Sequence, residues 1–150
     1  MYNALPIALI ALIIVCMLGY VDKSKAMEWD GLVIHHSATT AGTVESIRRY
    51  HVNVRGWKDI GYHYVVYRDG SVHEGRRLGV KGAHAKGRNS THIGICLIGK
   101  DSFTAEQVLS LRVLINQIMT VYDIFFIERH HEKCPGKGID VEALERELLD

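Results

Sequence analysis

The sequence predicts an α/β (α+β) fold: a central mixed sheet flanked by helices and preceded by an N-terminal hydrophobic helix. Three observations predict it. Short β-rich runs are interspersed with helical apolar stripes from residue 27 onward. An Asp69-Gly70 pair stands between two of those runs, which is a strong hairpin signal and calls for positive φ at both turn positions. Residues 4–21 form an uncharged apolar stretch distinct from everything after it. The 150 residues suit one domain with a sizeable core, and no repeat or linker interrupts the chain after residue 27.

Taken in order, Ala4 to Val21 comes first. As a helix these residues reach about 27 Å, slightly short of a ~30 Å hydrocarbon core. Ala4, Pro6, Ala8, Ala11 and Gly19 dilute the stretch. Residues 1–26 therefore read as a marginal transmembrane signal-anchor, or as a cleaved signal peptide ending at the small residues Ser24 and Ala26. Residues 27–150 are the domain proper. Leu32-Val33-Ile34 is a buried strand opening into a polar loop, and Thr43 caps a helix through about Arg55 with Gly56 as its stop. His51 lies on the apolar stripe of that helix as a packing residue. Tyr62 to Arg68 and Ser71 to Glu74 form the hairpin, and Gly79 to Asn89 is a glycine- and lysine-bearing loop around His84. Ile93 to Ile98 reads as a second buried strand. The Thr104 to Gln107 spacing fits a capping box for the longest helix, whose stripe is Val108, Leu111, Leu114/Ile115, Ile118 and Tyr122. Ile124 to Ile127 reads as a strand delivering His130 to its end, and Asp140 caps a last helix with Val141, Leu144 and Leu148 inward.

Charge narrows the function classes. The chain carries 18 basic and 17 acidic residues, and setting aside Asp22, Lys23 and Lys25 leaves the domain formally neutral. Such a domain has no general electrostatic attraction to nucleic acid, and a monomer is the expectation. Histidine is the unusual component, with nine copies, all beyond residue 34. The three cysteines sit in settings too different for a disulfide framework.

The chemistry concentrates in Arg129-His130-His131-Glu132-Lys133-Cys134-Pro135-Gly136. Imidazole nitrogen and thiolate suit zinc, and a catalytic zinc takes three protein ligands and leaves one position open. A further ligand must come from elsewhere, and the His35-His36 pair after the first strand is the best donor. Successive side chains of an extended segment face opposite ways, so one histidine of each pair binds and the other packs or supports. Taken alone, the tract fits a metal centre and a satisfied polar cluster equally.

Six ordered motifs resolve more. Val33-Ile34-His35-His36-Ser37-Ala38-Thr39, Gly61-Tyr62-His63-Tyr64, Arg68-Asp69-Gly70, Gly82-Ala83-His84-Ala85-Lys86-Gly87, Ile93-Gly94-Ile95-Cys96-Leu97 and His130-His131-Glu132 with Cys134-Pro135 span the domain. Together they resemble the zinc N-acetylmuramoyl-L-alanine amidases of phage-lysozyme type, which share a fold with the peptidoglycan recognition proteins. The resemblance implies a Zn2+ ion held by His35, His130 and Cys134, with Tyr62 and Lys133 assisting the chemistry and His84, Lys86 and Asn89 facing substrate. It implies hydrolysis of the amide between N-acetylmuramic acid and L-alanine in peptidoglycan. Two positions depart from the family pattern. Only His131, Glu132 and Lys133 separate the second histidine from the cysteine, which leaves His131 as an alternative ligand to His130, and His92 stands where the family often has serine.

A non-catalytic peptidoglycan-binding module and a regulatory polymerase-binding protein are the competing readings. Cys134 and Tyr62 favour the enzyme, because non-catalytic relatives typically lack the cysteine. The apolar segment resembles that of signal-arrest-release endolysins, implying a domain tethered to the inner membrane through residues 4–21 and then freed on the periplasmic, cell-wall side. Lys23 and Lys25 pull the other way, since positive charge flanking a span favours retention in the cytoplasm. Cys16 reads as a small apolar filler, with exchange onto Cys96 or Cys134 as its regulatory alternative.

Overall fold

The computed structural model describes residues 27–149. The predicted N-terminal hydrophobic helix and Cys16 lie outside them. Among the described residues, no helix is long and apolar enough to cross a membrane. Five strands and three helices follow in the order β1 (Gly31–His36), α1 (Val44–Asn53), β2 (Tyr64–Val66), β3 (Val72–Glu74), β4 (His92–Leu97), α2 (Ala105–Met119), β5 (Phe126–Arg129) and α3 (Val141–Leu149). They build one mixed sheet of order β3-β2-β4-β1-β5, with β2, β4, β1 and β5 parallel and β3 antiparallel to β2.

The central strands β1 and β4 are almost wholly buried, as parallel strands covered on both faces must be. One face carries Leu32, Ile34, Ile93, Ile95 and Ile127 into the main core with Leu111, Ile115 and Ile118 of α2 and Val141 and Leu144 of α3. A smaller cluster of Val44, Ile60, Val65 and Ile98 joins α1 to the sheet. Val65 and Val66 divide between the two clusters, which is the period-2 alternation of a strand.

Local chemistry sets the helix ends. Thr104 and Gln107 form the expected capping box, and Thr43 forms one with Ser46. Gln107 does more than cap: its Nε2 donates to the carbonyls of Val66 at 3.1 Å and Ile98 at 2.9 Å, joining α2 to the ends of β2 and β4. Helix α1 ends at Asn53, two residues earlier than the glycine signal suggests, because the Arg55 and Trp57 amides turn back to the carbonyls of Tyr50 and His51 before Gly56 takes φ +70°.

Three sequence expectations need correction. The hairpin is not a turn with two positive-φ residues; only Gly70 is positive, at φ +83°. The Gly70 amide donates to Tyr67 O and the Tyr67 amide to Ser71 O, so the connection is a three-residue loop closed by a left-handed glycine. The fifth strand lies at 126–129 rather than 124–127. Pairing with β1, from Gly31↔Phe126 to Ile34↔Arg129, sets its register, while Ile124 is buried in the core ahead of it. Helix α2 likewise ends at Met119, leaving Tyr122 partly buried beyond it.

Candidate metal centre

The parallel pairing of β1 and β5 does the first part of the assembly. Ile34 lies beside Arg129, so the next residues, His35 and His130, emerge together at the same end of the sheet, with the His130 amide donating to Ile34 O at 3.3 Å. Their ring centroids are 4.6 Å apart. The chain then reverses within four residues: His131 and Cys134 exchange backbone hydrogen bonds of 3.3 and 2.9 Å, and the Lys133 amide donates to His131 Nδ1 at 3.2 Å. This tight reversal returns Cys134 to β1, where the His36 amide donates to its Sγ at 3.4 Å. A three-residue spacing therefore suffices.

His35, His130 and Cys134 present one donor atom each, all within 4.8 Å of one another. His131 is not in the group; its Nδ1 accepts within the turn instead. His35 and Cys134 are buried at 1% and 3% exposure while His130 is exposed, so the cluster is closed beneath and open on one side. Burial, then His84 and His130, hold His35 well below the ordinary imidazole value, and burial with His131 and His36 lowers His130. Both imidazoles are thus neutral at pH 7, the form that ligates metal. Burial raises the Cys134 thiol, and the His36 amide partly offsets this. Two nitrogens and a sulfur around one open side suit a zinc-type cation with a free coordination position.

Tyr62 stands beside the cluster, its ring centroid 5.0 Å from that of His35 and 5.4 Å from that of His51. His51 Nδ1 accepts the Gly61 amide at 3.0 Å and its ring packs on Trp57, so this helix histidine packs as expected and also steadies the segment carrying Tyr62. Burial, then Cys96 and Cys134, raise the Tyr62 phenol, which stays protonated at neutral pH.

A family model for N-acetylmuramoyl-L-alanine amidases matches residues 25–137. The chain belongs to that family. This amidase is 36% identical over 126 residues to the endolysin of Klebsiella phage KP32, covering 77% of this chain and 83% of that one. It is 34% identical over 125 residues to peptidoglycan-recognition protein SC2 of Drosophila melanogaster, covering 71% and 68%. Among solved structures it is similar to the N-acetylmuramoyl-L-alanine amidase LysC from Clostridium intestinale, with a TM-score of 0.76, 31% identity, and coverage of 82% and 87%.

The remaining sequence-predicted residues of the amidase are placed unevenly. His84 does not project into the open side: it is buried at 7% exposure, with Nδ1 3.0 Å from His35 Nε2 and Nε2 3.0 Å from His92 O. Asn89 turns inward too, its Oδ1 accepting the amides of His84 at 2.7 Å and Ala85 at 2.9 Å. Lys86 is exposed and lines a groove of about 630 Å³ with Arg88, Glu128, Arg129, His130 and Glu142, in which Arg88 pairs with Glu128 and Arg129 with Glu142. Lys133 is exposed at the tip of the reversal. His92 packs its ring on Phe126, with centroids 6.2 Å apart.

Sequence reasoning gave Cys96 no place at the centre and named it only as an alternative exchange partner for Cys16. Cys96 is the register partner of His35 and fully buried, with Sγ donating to Leu97 O at 3.8 Å, and burial raises its thiol strongly. Its alternation with His92 and Gly94 along β4 was visible, but only the pairing of β4 with β1 brings it to the site.

Proposed function

We propose that this amidase hydrolyses the amide between N-acetylmuramic acid and L-alanine in peptidoglycan, as a Zn2+ enzyme with His35, His130 and Cys134 as ligands. The convergence of these three donors at the shared end of β1 and β5, open on one side and flanked by Tyr62, carries the reading. Bound zinc would polarise the scissile carbonyl and generate a hydroxide-like nucleophile from water near pH 7. The protein's own groups do the rest. His35 and His130 arrive neutral and the Cys134 sulfur is held by the His36 amide, so the donors are preformed. Tyr62, kept protonated by its surroundings, donates a hydrogen bond to the oxyanion that develops as the amide is attacked. Lys133 is a second cationic donor that must swing inward from its exposed turn. Lys86 and the charged groove beside His130 meet the peptide stem.

The test is zinc content measured together with muropeptide release from purified murein. One equivalent of zinc and chelator-sensitive release of free stem peptides are expected. Peptidoglycan binding without release would instead place the protein among recognition modules.

Residues 4–21 complete the reading as an uncleaved signal-anchor that exports the domain, holds it at the inner membrane as a monomer and later releases it to the periplasm. The support is a span of barely sufficient length, the embedded Ala and Gly, and a substrate found outside the membrane. A mature protein beginning at Met27 would make the segment a cleaved signal peptide.

A further inference from the structure

Histidine 84 touches the proposed centre only through another histidine, and the hydrogen bonds around it leave one arrangement of protons. The His92 carbonyl can only accept, so His84 Nε2, 3.0 Å away, carries the proton. A neutral His84 then has its lone pair on Nδ1, which lies 3.0 Å from His35 Nε2. His35 must donate there, and its own lone pair is left on Nδ1. We infer that His84 is a positioning residue that fixes the Nε2–H tautomer of His35 and so dedicates His35 Nδ1 to the metal.

The surroundings hold His84 for this. Asn89 clamps the amides on either side of its Cα–C bond, those of His84 and Ala85. Gly94 supplies the space for the ring: a Cβ there would sit 2.5 Å from His84 Cγ and 2.6 Å from Cδ2. The Gly94 amide also donates to His63 Nδ1 at 3.0 Å, leaving His63 Nε2–H to donate to Val80 O at 3.1 Å. His63 packs edge-on against His84, with centroids 5.7 Å apart. One glycine in the central strand thus seats two histidines of the same tautomer. Metal-bound histidines ordinarily give their second N–H to a carboxylate, a carbonyl or water. Here a neutral imidazole takes that place, and the His92 carbonyl in turn sets the proton of that imidazole.

The inference rests on the zinc reading, and the experiment separates the two. In the metal-free full-length protein, long-range proton–nitrogen NMR should show His35, His63 and His84 each protonated at Nε2. Chelator competition should then give His84→Met a zinc affinity 10–100-fold below wild type, the usual range for losing an outer-shell partner. His84→Gln, which keeps an acceptor toward His35 and a donor toward His92, should recover most of it. A proton on His35 Nδ1 would overturn the inference, and the wild-type spectrum decides this even if a variant fails to fold. So would unchanged zinc affinity in His84→Met with only a raised KM, the mark of a substrate contact. Failure of the wild-type protein to bind zinc would remove the metal reading instead and leave the tautomer result standing.

Discussion

Cys134 supplies the only sulfur of the three-donor cluster, and it is held at 3% exposure against a backbone amide. Replacing it with serine exchanges a thiolate for a poorly coordinating hydroxyl. Cys134→Ser is therefore expected to lose activity and most bound zinc, and full occupancy by elemental analysis would remove Cys134 from the ligand set. A Tyr62 variant tests chemistry apart from metal binding. Tyr62→Phe keeps the ring that packs near His35 and His51 and removes only the hydroxyl. Turnover on murein should fall ~10²-fold or more at unchanged zinc content, the scale of one lost oxyanion donor. At this scale the donor types and the two histidine pairs were legible from the sequence, and the structure sets Tyr62 beside His35. The inward turn of His84 and Asn89 was not legible. Both are polar loop residues: His84 acquires His35 and the His92 carbonyl as partners only when the loop folds onto β1 and β4, and Asn89 then closes on the amides of His84 and Ala85 within that loop.

Strand β4 shows how one element constrains the site. Its Gly94 faces the His84 ring so closely that a methyl group cannot be accommodated without moving the ring or the strand. Gly94→Ala is expected to cost about 1–3 kcal/mol of stability by overpacking and to weaken zinc binding as well, measured by urea unfolding and chelator competition. Stability lost with zinc affinity intact would mean that the ring relaxes without disturbing His35. Helix caps and the existence of the hairpin were readable because they depend on residues three or four apart. The register of β5 was not. Ile124 and Phe125 look as strand-like as Ile127, and only the match to β1 selects Phe126–Arg129.

The whole molecule stores several histidines in their neutral form, and this gives its stability a pH dependence. Burial lowers His51 and His63 to about 4 from an unfolded value near 6.5. Between those values the unfolded chain binds protons that the folded chain refuses, so stability rises with pH across the window and is lost on acidification from about 6.5 toward 4. The Tm of the metal-free protein should fall over that interval by calorimetry, and a flat profile would mean that these histidines are protonated in place. The proposed N-terminal signal-anchor is tested at the same scale. Ala8, Ala11 and Gly19 changed together to leucine should hold the protein in the membrane fraction and suppress lysis, whereas unchanged release on fractionation would remove the marginal span as its cause.

By itself the sequence determined the class of fold, the family and the donor types, because apolar periodicity, capping patterns and ordered motifs are local properties of the chain. Tertiary structure decided which histidine of each pair joins Cys134, and that Cys96, His63 and His84 lie around them. Those choices depend on parallel pairing between strands some 60 to 95 residues apart, where a shift of one residue would turn each side chain to the opposite face.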